Sequence, residues 1–281
     1  MQSFAQDGTH QLGEDSDPFE AIRRSMRERH DAYKEQILDS QPFQDALHYL
    51  QAIASDFLIA HTYVRLTGTR FSASNDYLLF RFAPQVAESI ISLTMNAKEG
   101  LQNAARRELR FLLETVVKLS ERDTDRDAKS FEKRMAGLSD REKRFEDYVA
   151  GLPYFDGFEK PEEANAAMLS LYSELSGYVH ATAPQFEDVM IRNRRGEDSG
   201  MESVSTFNRF NKLAFQVYDL VLVRIFYSLG LSMAGDIFTS ILDDEAKWRF
   251  HKGKYVGRMS RCFDYKAERR ARRESGGGLA D

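Results

Sequence analysis

Apolar residues recur at three- and four-residue steps over most of the chain, the period of helices buried on one face. The first run opens at Asp17, a good N-cap, with Pro18 at the first helical position and Glu20 three residues after the cap. Ile22, Met26, Tyr33 and Ile37 carry it to about Asp39 as one loose apolar face. Ser40 and Pro42 restart a second helix, whose Phe43, Leu47, Leu50, Ile53, Ala54, Phe57 and Leu58 form a broad stripe ending about Thr67-Gly68-Thr69. Ser74 or Asn75 caps the next element, which reaches about Lys98 and contains Pro84, a residue that kinks or divides a helix. The strongest pattern spans residues 101–121, with Leu109, Leu112, Leu113, Val116, Val117 and Leu119 on one face.

Residues 122–147 read as two short amphipathic helices, the second opened by the capping box Ser139-Asp140-Arg141-Glu142. Gly151-Leu152-Pro153 stops it, and Phe155 and Phe158 fall in a loop that plugs the core. Pro161 opens a helix running to about His180, faced by Met168, Leu171, Tyr172, Leu175 and Val179. Pro184 closes that region, and residues 192–203 make a polar loop. Residues 207–242 form a long apolar element, broken near Gly230 or Gly235.

With only 6 prolines and 17 glycines in 281 residues, the chain lacks the turns that an all-β protein needs. The expected fold is all-α, a bundle of about seven to nine helices in one domain over residues 17–246. Residues 1–16, polar and acidic, are expected to be disordered, as is the glycine-rich end of the basic, aromatic segment 247–281. The single cysteine, Cys262, excludes an internal disulfide and a cysteine zinc site; it is most simply a lone, partly buried thiol, in basic surroundings of the kind that lower a thiol pKa. No apolar leader is visible, so a reducing, cytoplasmic setting is expected. The most apolar stretch is interrupted by Asp219, Arg224 and Asp236, which argues for a buried helix and against a membrane span. It is apolar on more sides than one bundle face requires, which suits a homodimer.

No glycine-rich phosphate loop, nucleophile elbow or His-Glu-x-x-His occurs, and no two of the six histidines have the spacing of paired helical metal ligands. No metal or cofactor is therefore expected. The segment Leu171-Tyr-Ser-Glu-Leu-Ser-Gly-Tyr-Val-His180 ends a helix in a histidine, where the dipole favours the protonated form. Such a group suits a general acid or a cation facing phosphate, or else simply caps the last carbonyls. Earlier, Arg106, Arg107, Glu108, Arg110 and Glu114 make either a solvated face with an Arg110–Glu114 pair at i, i+4 or, with His180, a shared polar cleft.

Residues 172–184, with Ala105-Arg-Arg-Glu-Leu-Arg-Phe-Leu-Leu-Glu114, resemble the HEPN superfamily and related bacterial helical families. The resemblance implies a helical bundle, dimerisation, and an RNA- or partner-binding role in stress or phage defence. Many such proteins are metal-independent ribonucleases, with an arginine shortly before the histidine. Here no arginine stands between Glu162 and His180. Catalysis by His180 would draw on Arg107 or Arg110, with Glu114 beside them, from the other helix; otherwise the protein binds without cleaving.

The net charge is −5, yet residues 247–273 hold eleven Lys and Arg against two acids. Lys247, Trp248, Arg249, Lys252, Lys254, Arg258 and Arg261 interleave cations with aromatics, a pattern that fits RNA or DNA. Alternatively the aromatics dock on the bundle, and the cations meet an acidic protein partner or the chain's own acidic body.

Overall fold

The computed structural model describes residues 18–68, 76–125, 129–139, 143–179, 183–194, 203–263 and 265. Among these the protein is all-α, with no strand. Helix α1 (Pro18–Tyr33) runs into a π-helical turn at Lys34–Leu38, and α2 spans Gln41–Gly68. Pro84 does divide its element, since α3 (Leu78–Arg81) ends at Phe82 and α4 (Ala83–Lys98) starts with the proline in its first turn, where the missing N–H costs nothing. Then come α5 (Gln102–Asp123), α6 (Phe131–Ser139), α7 (Phe145–Ala150) and α8 (Pro161–Ser176).

Residues 140–142 of the expected capping box lie outside the described residues. At the start of α7 the Asp147 carboxylate instead accepts the backbone N–H of Arg144, at 3.2 Å. Pro184 does not close its region; it stands at the second position of α9 (Ala183–Arg194), a helix that the apolar pattern hides.

The long apolar element is α10 (Val204–Leu229), which turns by 119° at Gly230 into α11 (Leu231–Ile237) and a π-helical turn at Phe238–Leu242. Gly230 takes φ 80°, a left-handed value that glycine adopts without steric cost. No single described helix is long and apolar enough to cross a membrane.

Helix α10 is buried on every side from Val217 to Phe226. Helices α2, α5 and α8 pack on it, and α5 in turn packs on α4 and α8. Its remaining face is covered by the chain's own later residues. Trp248, a 3-10 turn at Arg249–Lys252, and α12 (Lys254–Ser260) dock there, with Trp248, Phe250, Val256, Met259 and Phe263 all in the core. The surplus apolar surface of α10 is thus covered without a second copy. The core also continues through Phe263, across the boundary that charge alone places at residue 246.

Helix α1 behaves in the opposite way. Phe19, Ile22 and Met26 are more than half exposed, and only its end docks, through Tyr33 and the partly buried Ile37 and Leu38.

Three aspartates tie distant segments to this frame through backbone N–H groups, the donors that a helix start leaves unsatisfied. Asp123 at the end of α5 accepts from Leu78 and Leu79, at 2.7 and 2.9 Å. Asp219 in α10 accepts from Tyr255 and Val256, both at 2.8 Å. Asp56 in α2 accepts from the N–H and guanidinium of Arg249, at 2.9 and 3.0 Å.

Candidate functional site

Helices α5 and α8 lie side by side, so the arginines of α5 meet the C-terminal end of α8. Each arginine is used differently. Arg106 is only 3% exposed, with its guanidinium over the rings of Tyr178 and Phe210 at 4.6 and 5.9 Å. Arg110 donates to Ser176 Oγ at 3.1 Å and to Tyr172 Oη at 2.7 Å, covers the Tyr172 ring, and pairs with Glu114 at 3.3 Å. Glu114 also takes Lys118 at 2.6 Å. Arg110 therefore staples α5 to α8, with its charge already matched by Glu114 on its own helix.

Arg107 is exposed and, among the described residues, makes one bond, from Nε to the carbonyl of Tyr178 at 3.0 Å. That bond holds the turn after α8 two residues before His180, and His180 itself lies outside the described residues. Among the described residues nothing accepts from the two terminal nitrogens of Arg107. Its planar fork is thus oriented by Nε and open at its tip, which is the geometry that grips a phosphate or carboxylate in two places.

The C-terminal candidates divide in two. Trp248 is 2% exposed, and its indole N–H donates to the Asp56 carbonyl at 3.0 Å. Phe250, Tyr255 and Phe263 are buried as well, so these rings offer no face to an unpaired base. Arg249 pairs with Asp56; Lys254 and Arg258 with Glu163 at 3.2 and 2.7 Å; Arg261 with Glu159 at 2.9 Å. Arg258, Lys160 and Lys254 hold the Glu163 carboxyl well below the usual range. These cations meet the acidic body, one of the three partners the pattern allows. Lys247 and Lys252 remain exposed, and residues 266–281 lie outside the described residues.

Cys262 is a half-buried free thiol, and only the pull of its basic surroundings on its acidity is overruled. Burial pushes its thiol up to about 11 in spite of Arg261, so it is a poor nucleophile. Among the described residues no cluster of three or more His, Cys, Asp or Glu could hold a metal. His61 is buried, and burial followed by Arg65 pushes it down to about 4.

Sequence reasoning missed a second polar place. Arg224 has no exposed surface, and its partners wall an open cavity of about 750 Å³ between the end of α5, the α7–α8 loop and the Gly230 bend. The signal was present as one arginine inside the most apolar helix, but it served there only as evidence against a membrane span.

No family model, curated protein or solved structure matches the chain.

Proposed function

We propose that the end of the bundle formed by α5 and α8 binds RNA through its phosphates, as a HEPN-like helical protein of a cytoplasmic stress or phage-defence system. The observation that carries this reading is the Arg107 guanidinium, aimed by its bond to Tyr178 and, among the described residues, open at both terminal nitrogens. Arg106, fixed by stacking beside it, adds positive potential without needing to move. The C-terminal cations contribute less, because Arg249, Lys254, Arg258 and Arg261 are paired with carboxylates.

A second reading rests on the same anchor. Tyr178, which Arg107 holds, precedes His180 by two residues in the sequence. In that reading RNA is cleaved without metal. His180 moves the proton, and Arg107 steadies the negative charge that develops on the scissile phosphate.

The test is RNA binding by fluorescence anisotropy over a range of salt, for the wild type, Arg107→Gln and His180→Ala. Arg107→Gln is expected to weaken binding to all sequences alike and to lower the salt slope by about one. Binding that ignores Arg107→Gln, or no binding by the wild type, overturns the proposal. The same proteins incubated with mixed RNA in EDTA decide the second reading. Cleavage lost in His180→Ala supports a nuclease, and no cleavage by the wild type removes it.

A further inference from the structure

Arg224 lies within α10 with no carboxylate inside ion-pairing distance among the described residues. A buried cation without a counter-charge is costly, so its surroundings must supply acceptors. Ser120 Oγ takes two bonds, from Nε at 3.0 Å and Nη2 at 2.8 Å, and the Pro153 carbonyl takes Nη1 at 2.6 Å. The rings of Tyr154 and Tyr227 cover the guanidinium at 5.2 and 4.9 Å. Burial pushes the group down to about 10, which leaves it charged at neutral pH.

All four of these partners line the cavity of about 750 Å³. Ser120 is the informative one. It is 2% exposed, and its oxygen has two lone pairs, both taken by Arg224. Its single proton meets no acceptor among the described residues, and Ser120 lines the cavity. Two charge-assisted bonds behind it make this hydroxyl a stronger donor than an ordinary serine.

The rest of the lining has the opposite character. Asp156 is exposed at the cavity, and Asp123, whose oxygens already accept from Leu78 and Leu79, lies on α5 one turn beyond Ser120. Two carboxylates disfavour a polyphosphate chain. They favour a molecule that has one oxyanion for Ser120 and separate N–H or O–H donors for the acids.

We propose that this cavity binds a small organic oxyanion, a carboxylate or phosphate monoester that also bears hydroxyl or amine donors. The oxyanion rests on the Ser120 hydroxyl in the field of Arg224, and the donors reach Asp156. The volume falls within the range of about 300–1,000 Å³ usual for small-molecule sites. Ser120 and Arg107 are 13 positions apart on α5, about 20 Å at the rise of an α-helix. The site is therefore separate from the one proposed for RNA, and either can fail alone.

Calorimetry on the full chain with glycerol 3-phosphate and with free L-serine, beside inorganic phosphate and acetate, tests it. One of the two organic probes is expected to bind, and the pair tells phosphate monoester from carboxylate. Ser120→Ala should weaken that probe at least tenfold. Asp156→Asn should weaken it several-fold while leaving inorganic phosphate unchanged. Ser120→Ala strands two buried Arg224 donors and can unfold the protein, so the exposed Asp156→Asn carries the test independently. The Arg224 15Nε resonance of the wild type should also shift as the probe saturates. If neither organic probe binds, if phosphate or acetate binds as tightly as the better one, or if binding ignores Asp156→Asn and leaves the Arg224 resonance in place, the proposal falls.

Discussion

Asp219 shows how much one side chain can organise. Burial pushes it up to about 6, against the pull of the Tyr255, Val256 and Lys254 backbone donors. Its folded value thus exceeds the unfolded value of about 3.9, so its contribution to stability is complete below that value and is lost as pH rises through 6. His61, pushed down to about 4, runs the other way, and Asp123, pushed up to about 6 by burial, runs with Asp219, so the wild-type slope combines all three. Asp219→Asn should isolate the Asp219 share. Relative to the wild type, the variant should gain up to about 3 kcal/mol between pH 4 and 6.5 in urea melts. An unchanged difference would show that Asp219 does not titrate there. Its neighbour Gly253 is needed for space, since a Cβ there would sit inside the Asp219 carboxylate. Gly253→Ala should cost about 1–3 kcal/mol by denaturant unfolding. Neither role can be read from composition. Asp219 and Arg224 both stand out in the sequence as charges in an apolar run, but the backbone N–H groups and the hydroxyl that receive them come from other parts of the chain.

At the scale of elements, period and punctuation located most of the helices. The stripes on α2, α5, α8 and α10 are the faces now in the core, and the breaks at Phe82–Ala83 and Gly230 fall where Pro84 and Gly230 stand. Helix α9 was missed because proline is compatible both with ending one element and with opening the next. The starts of α3 and α12 were hard to place for a different reason. Their capping carboxylates, Asp123 and Asp219, lie 45 and 36 positions away from the residues they cap, so no local signature exists. The candidate site was half readable. The α5 arginines and the end of α8 do meet, but the sequence could not say that Arg106 is buried and Arg110 spent on Ser176 and Tyr172 while Arg107 keeps an open fork.

For the whole molecule, the segment after residue 246 changes role between sequence and structure. Alternating aromatics and cations left two readings open, a surface made for nucleic acid or rings docked on the bundle with the cations on its acidic body; the rings face inward and four of the cations meet Asp56, Glu159 and Glu163. The pattern is ambiguous because an amphipathic strip looks the same whether its apolar side meets a ligand or the rest of the chain. Trp248, Phe250, Val256, Met259 and Phe263 are each 2% exposed or less. A buried side chain of this kind is worth roughly 1.5–3 kcal/mol, and a domain's net stability is only about 5–15 kcal/mol. A chain ended after Ala246 should therefore lose its cooperative thermal transition, measured by circular dichroism, whereas removal of the exposed Pro18–Arg29 part of α1 should leave it nearly unchanged.

The docking of α12 on Asp219 also bears on how the protein is made. Until the ribosome has released the chain through Phe263, α10 has an open flank and Asp219 faces it without its donors. The core closes only once that segment has emerged, and before that point the nascent chain exposes the aromatic surface that Trp248, Phe250 and Phe263 later cover.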